Sequence, residues 1–179
     1  MRAHEAKTVK DYGEDIVREL VINLINSRFS ELSQQENKPF MVGASQYTNM
    51  FEPLDVLFLI AVGQPNEMQN TLKGLLTETQ RIRQNGFTET EVAREKSEME
   101  RAMQKQYDER SKLQNASYVK QYIEHFTKNE PIPPIELEYQ LVKSILASTS
   151  VESVNAMAAK LLAGKDATIF ISAPEPEKD

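Results

Sequence analysis

Chemistry in this chain would have to start from two imidazoles, His4 and His125, because the 179 residues contain no cysteine. A catalytic zinc needs about three protein ligands and an open water position, so a site assembled here would be filled mostly by carboxylates, an unusual set for that metal. The window Gln121-Tyr122-Ile123-Glu124-His125 matches H-x-x-E-H in its last two positions, but Gln121 stands where the first histidine must be. A neutral amide is a poor zinc ligand. Glu124 and His125 are adjacent, so on a helix they diverge by about 100° and cannot grip a metal from one face. His4 lies in the polar segment Met1–Lys7. No catalytic, cofactor-binding or metal-ligating residue is assigned from these patterns.

Other groups point the same way. The acid pairs Glu98/Glu100 and Asp108/Glu109 have the chemistry of a general acid and base, yet they sit among Lys and Arg on polar helices and read as a solvated face. Met99 and Met103, four apart, read as core filling rather than as a soft binding surface. No serine lies in G-x-S-x-G, and no Gly-rich phosphate loop occurs. Tyr107, Tyr118 and Tyr122 are not interleaved with a basic patch, so they do not form a base-stacking surface.

The composition narrows the classes further. With 21 basic and 27 acidic residues the net charge is −6, which opposes binding to nucleic acid phosphates. No stretch approaches the ~18 apolar residues that would mark a membrane span. The lack of cysteine excludes disulfides and thiolate metal sites, and is compatible with cytosolic and exported proteins alike, so the compartment stays open.

These residues are positioned by elements that can be read from spacing. Thr8 and Asp11 are set as a capping box before a helix whose stripe is Ile16, Val17, Leu20, Val21, Leu24 and Ile25, ending before Asn37-Lys38-Pro39. Phe40 to Tyr47 and Val56 to Val62 read as two strands, an antiparallel pair joined through Asn49 to Asp55. The second is apolar throughout, as expected of a central strand covered on both faces. Pro65 opens a helix that Asn85-Gly86 stops with a left-handed turn. Thr88 and Glu91 form a second capping box, and Phe87 and Val92 a hydrophobic staple.

From Val92 to about Phe126 the pattern is helical but polar, read as two solvent-facing helices bent at Asn115-Ala116-Ser117 and ended by Glu130-Pro131-Ile132-Pro133-Pro134. Ile135 to Ala147 and Val151 to Leu162 read as two further helices, the second capped by Thr149 with Glu152 and stopped by Gly164. A last strand is expected over Ala167 to Ser172. The fold class is therefore α+β, a single, mostly antiparallel sheet with several helices packed against it. One domain spans 1–172, and the Pro-rich tail 173–179 resembles a linker.

With these elements in place, the chain resembles the insulinase/pitrilysin family of zinc peptidases, specifically the domain that follows the zinc-bearing one in long bacterial members. The likeness covers most of the chain. It rests on Asp11-Tyr12 entering a helix that ends Leu24-Ile25-Asn26-Ser27-Arg28-Phe29-Ser30-Glu31-Leu32, and on Lys38-Pro39-Phe40 entering the strand pair. It continues through Gly86-Phe87-Thr88-Glu89-Thr90-Glu91-Val92, Glu130-Pro131-Ile132-Pro133, Ile135-Glu136-Leu137-Glu138-Tyr139 and Thr149-Ser150-Val151-Glu152-Ser153-Val154-Asn155.

The resemblance implies a copy of a domain repeated around a closed chamber, with catalysis in another copy where an H-x-x-E-H helix and a further glutamate hold zinc. Zinc is thus expected in the parent enzyme and not in this chain. Some family copies use an arginine and a tyrosine to grip substrate opposite the metal. Here Ser33 or Gln34 lies near the arginine place and Phe40 at the tyrosine place, so neither group is retained in kind. The expected role is a non-catalytic, substrate-enclosing domain of a zinc metalloendopeptidase, whose partners are other domains of the same polypeptide and the parent's peptide substrate. The alternative is a free-standing interaction module that uses the polar helices 92–126. The family's domain usually has a strand ahead of its first helix; here the segment ahead of Thr8 is short and polar, so that strand is expected to lie outside the chain, and the resulting open sheet edge is expected to promote self-association.

Overall fold

The structure, a computed structural model, describes residues 8–51, 54–112, 132–164 and 167–174, together with Val119, Ile123 and Phe126. His4, His125, Gln121, Glu124, Tyr118, Tyr122 and the expected bend at Asn115–Ser117 lie outside the described residues.

Helix α1 (Val9–Ser33) is the spine of the molecule. Its start is built as the sequence predicts: the Asp11 amide donates to Thr8 Oγ1 at 3.2 Å, and the Thr8 amide donates to Asp11 Oδ2 at 2.9 Å. Two orphan amides of the first turn are thereby satisfied. The stripe Ile16, Leu20, Val21, Leu24, Ile25 and Phe29 is buried. At about 1.5–3 kcal/mol for each large aliphatic side chain removed from water, this face is the main apolar contribution to the core.

Strands β1 (Val42–Phe51) and β2 (Leu54–Val62) form an antiparallel pair, with Val42 opposite Val62, Ser45 opposite Leu59 and Thr48 opposite Val56. The pairing is as expected, but β1 begins at Val42 rather than Phe40. Phe40 turns into the core, meeting Phe29 edge to face with ring centroids 5.8 Å apart. Gly43 makes room for this pair, since a Cβ there would lie 2.6 Å from the Phe40 ring and 2.9 Å from Phe29 Cβ.

A 3-10 turn at Pro65–Glu67 leads into α2 (Met68–Asn85), followed by α3 (Glu89–Asp108), a second 3-10 turn (Arg110–Lys112), α4 (Ile135–Ser148) and α5 (Val151–Leu162). The Thr88/Glu91 capping box is formed as expected, with the Thr88 amide on Glu91 Oε2 at 2.8 Å. Gly86 has a positive φ of 68°, but its ψ of −158° places it outside the left-handed helical region. Helix α5 is capped by Ser150 and not by Thr149. Thr149 instead closes α4, its Oγ1 donating to the Ile145 carbonyl at 2.7 Å. One residue's difference in register assigns the hydroxyl to the preceding helix, because the chain turns sharply between the two.

Two sheet expectations are corrected. Among the described residues the sheet has two strands, and 167–172 runs irregular and exposed, outside it. Nor are both faces of β2 covered: α1 packs under one face of the hairpin, while Ile60 and Val62 project from the other into solvent. A strand needs a neighbour for its backbone, and apolar β-branched sequence alone does not supply one. The architecture is α+β, five described helices and a two-stranded antiparallel sheet.

Candidate functional site

The residues singled out for possible chemistry are separated by the fold. Glu98 pairs with Arg101 on α3, and Glu100 faces Lys143 on α4 at 3.5 Å. Asp108 accepts from Gln104 at 2.9 Å, and Glu109 ends the helix through its backbone. Met103 is buried and Met99 packs against the core, as the core-filling reading expects. Tyr107 stacks on Tyr139 with ring centroids 5.0 Å apart, and Arg110 lies 4.2 Å over its ring. These contacts tie α3 to α4. Among the described residues no three His, Cys, Asp or Glu side chains converge as a metal would require.

An open cleft of about 880 Å³ lies between α1, α3 and α4, bordered by the acids Asp15, Glu19, Glu95, Glu98 and Glu138. Tyr12 crosses its end and donates to Glu138 Oε1 at 3.2 Å. Burial, and then the Glu138 charge, push the Tyr12 phenol far above its ordinary range. Burial also raises the Glu19 carboxyl, with Glu138 adding to it. Ser27, on the cleft lining, donates to Glu95 Oε2 at 3.2 Å.

A half-buried electrostatic node surrounds Arg28. Its Nε donates to Glu91 Oε1 at 2.7 Å, Nη2 to Glu91 Oε2 at 3.1 Å and to the Gly86 carbonyl at 2.9 Å, and Nη1 to Glu78 Oε1 at 3.2 Å. The guanidinium also lies 4.9 Å over the Phe87 ring. Burial works against its charge, but Glu91 and Glu78 more than offset that and raise its pKa. Glu91 in turn is lowered to about 2, first by the Arg28 hydrogen bonds and then by those from Thr88. Three helices meet here, so one planar cation with five fixed donors locks α1 to the ends of α2 and α3.

Sequence reasoning found Arg28 only as part of a resembling segment and missed Glu78 altogether. A signal was present. Glu78 occupies the buried stripe of α2 between Leu75 and Ile82, and a carboxylate at such a position needs a partner. Of the auxiliary positions, Phe40 is buried in the core. Ser33 and Gln34 bond back to Ser30 at the outer end of α1.

No family model matches the chain. It is similar to a zinc protease PQQL-like protein of Arabidopsis thaliana, 27% identical over 161 residues, which is 90% of this chain but 14% of that protein. The first half of the periplasmic protease PqqL from Escherichia coli superposes with a TM-score of 0.83 at 20% identity, covering 90% of this chain and 35% of that one. An insulinase family protease from Yersinia pestis superposes with a TM-score of 0.85 at 11% identity, covering 100% of this chain and 39% of that one. The chain thus spans about a seventh of its curated relative, and its fold is that of an insulinase/pitrilysin-type domain.

Proposed function

We propose that this insulinase/pitrilysin-type domain is a structural and substrate-enclosing part of a zinc metallopeptidase whose H-x-x-E-H site lies outside the chain. The observation that carries the reading is the similarity, across 90% of the chain, to a small portion of a zinc protease-like protein. The ligand chemistry supports it: two histidines and no cysteine leave too few good zinc ligands, and the one partial motif has Gln121 in a histidine place. In this role the Arg28 node and the α1 core keep one chamber wall rigid. Zinc and the activated water belong to the rest of the polypeptide.

Metal analysis after dialysis, beside a peptide-cleavage assay, tests the proposal on the chain, on its His125→Ala variant and on a longer polypeptide carrying an H-x-x-E-H segment. The expected result is no stoichiometric zinc and no cleavage by the chain, with zinc-dependent cleavage only in the longer protein. One tightly held zinc per chain, with cleavage lost in His125→Ala, would overturn it.

A further inference from the structure

The two edges of the hairpin are not equivalent. On the β1 side, Asn26 of α1 reaches the middle of the strand: the Ser45 amide donates to Asn26 Oδ1, and Asn26 Nδ2 donates to the Ser45 carbonyl at 3.2 Å. Ser45 therefore directs both backbone groups away from β2, and that edge is stapled to α1. In an antiparallel ladder the pairs whose backbone groups point outward alternate with those that bond to each other. Since Ser45 lies opposite Leu59, with Gly43 opposite Ala61 and Tyr47 opposite Leu57, the amides and carbonyls of Leu57, Leu59 and Ala61 point outward on the far side of β2. Among the described residues no element bonds to that side. The edge is also sticky, for β2 is apolar from Val56 to Val62, and Ile60 and Val62 are 47% and 51% exposed on the face away from α1.

The same chain carries a matching piece. Ala167-Thr168-Ile169-Phe170-Ile171-Ser172 has the β-branched and aromatic composition of a strand, yet pairs with no other strand among the described residues. Ile169, Phe170 and Ile171 are 59%, 88% and 55% exposed. Pro174, which has no N–H, limits any ladder to the residues before it. Such a segment and such an edge are complementary in backbone hydrogen bonding and in apolar surface.

We propose that two copies of this chain exchange these segments, Thr168–Ser172 of each adding as a third strand along the free edge of β2 in the other. Reciprocal exchange uses both segments and both edges, so the assembly closes as a two-fold dimer and not as a filament. The bonds formed are those from Leu57, Leu59 and Ala61 to the incoming backbone. Phe170, or its neighbours Ile169 and Ile171, extends the apolar face begun by Ile60 and Val62. The inference is independent of the peptidase reading, since it needs neither zinc nor the rest of the polypeptide.

Sedimentation equilibrium, with amide hydrogen exchange resolved by residue, tests it on three proteins: the chain, a truncation after Gly164, and Phe170→Asp. Phe170 is exposed in the single copy, so its substitution leaves the fold intact. The expected result is a concentration-dependent dimer whose Leu57, Leu59 and Ala61 amides are slowed. In Phe170→Asp the association should weaken roughly ten-fold or more, and in the truncation it should vanish with fast exchange at those amides. Three results would each overturn the proposal: a monomer at all concentrations with unprotected amides, a monomer whose amides are protected because the segment pairs within its own chain, or a dimer that survives the truncation.

Discussion

Arg28 and Glu91 form a two-point ion pair across α1 and α3, at 2.7 Å through Nε and 3.1 Å through Nη2. The same carboxylate accepts the Thr88 amide at 2.8 Å, so one side chain both caps α3 and fastens it to α1. Local and tertiary structure share an atom group here, which makes the node unusually sensitive to substitution.

Arg28→Ala is expected to destabilise the chain by about 3–5 kcal/mol, the range for breaking a buried pair by removing one partner. Glu78 is the reason, because its side chain is only 5% exposed and would keep just the partly solvated Arg81 at 3.0 Å. Urea unfolding of Arg28→Ala beside Arg81→Ala measures this. A smaller loss from Arg28→Ala than from Arg81→Ala would show that the node is not organised around Arg28.

Acid should weaken the node in a defined window. Glu91 has its folded pKa lowered to about 2 from an ordinary value near 4.5. A depressed carboxylate contributes stability that is fully present above the unfolded pKa and is lost as pH falls through the folded one. The stability difference between the natural chain and Glu91→Gln should therefore be constant near neutrality and shrink from about pH 4.5 toward pH 2. A difference that grows on acidification would contradict the assignment.

Gly86 and Asn155 should be energetically coupled. Asn155 Oδ1 accepts the Phe87 amide at 2.7 Å and its Nδ2 donates to the Phe87 carbonyl at 3.1 Å, while a Cβ on Gly86 would lie 2.5 Å from the Asn155 amide group. Gly86→Ala is expected to cost about 1–3 kcal/mol through the positive φ and this clash. The double variant with Asn155→Ala should cost less than the sum of the singles, since removing the amide relieves the clash but not the φ. Strict additivity in thermal or urea unfolding would mean that the contact carries no energy.

What the residues determined alone was local. The capping boxes at Thr8 and Thr88, most of the α1 stripe, the antiparallel pairing of two strands read as Phe40 to Tyr47 and Val56 to Val62, and the arrest of α2 at Gly86 follow from interactions within a few positions, and short-range physics does not depend on the rest of the chain. The shortage of zinc ligands was equally legible, being a matter of composition. Tertiary structure decided what needs a distant partner. Phe40 left the strand because Phe29 and Gly43 offered it a core position, and Glu78 was tolerated in a buried stripe because Arg28 reached it from α1. Ser150 rather than Thr149 became the cap because the α4 end took the threonine hydroxyl. The segment 167–172 has the residues of a strand, but a strand exists only where another backbone meets its hydrogen-bonding groups. In the folded chain Asn26 caps the β1 edge at Ser45 and no described element meets the far side of β2, so the same apolar sequence is left exposed.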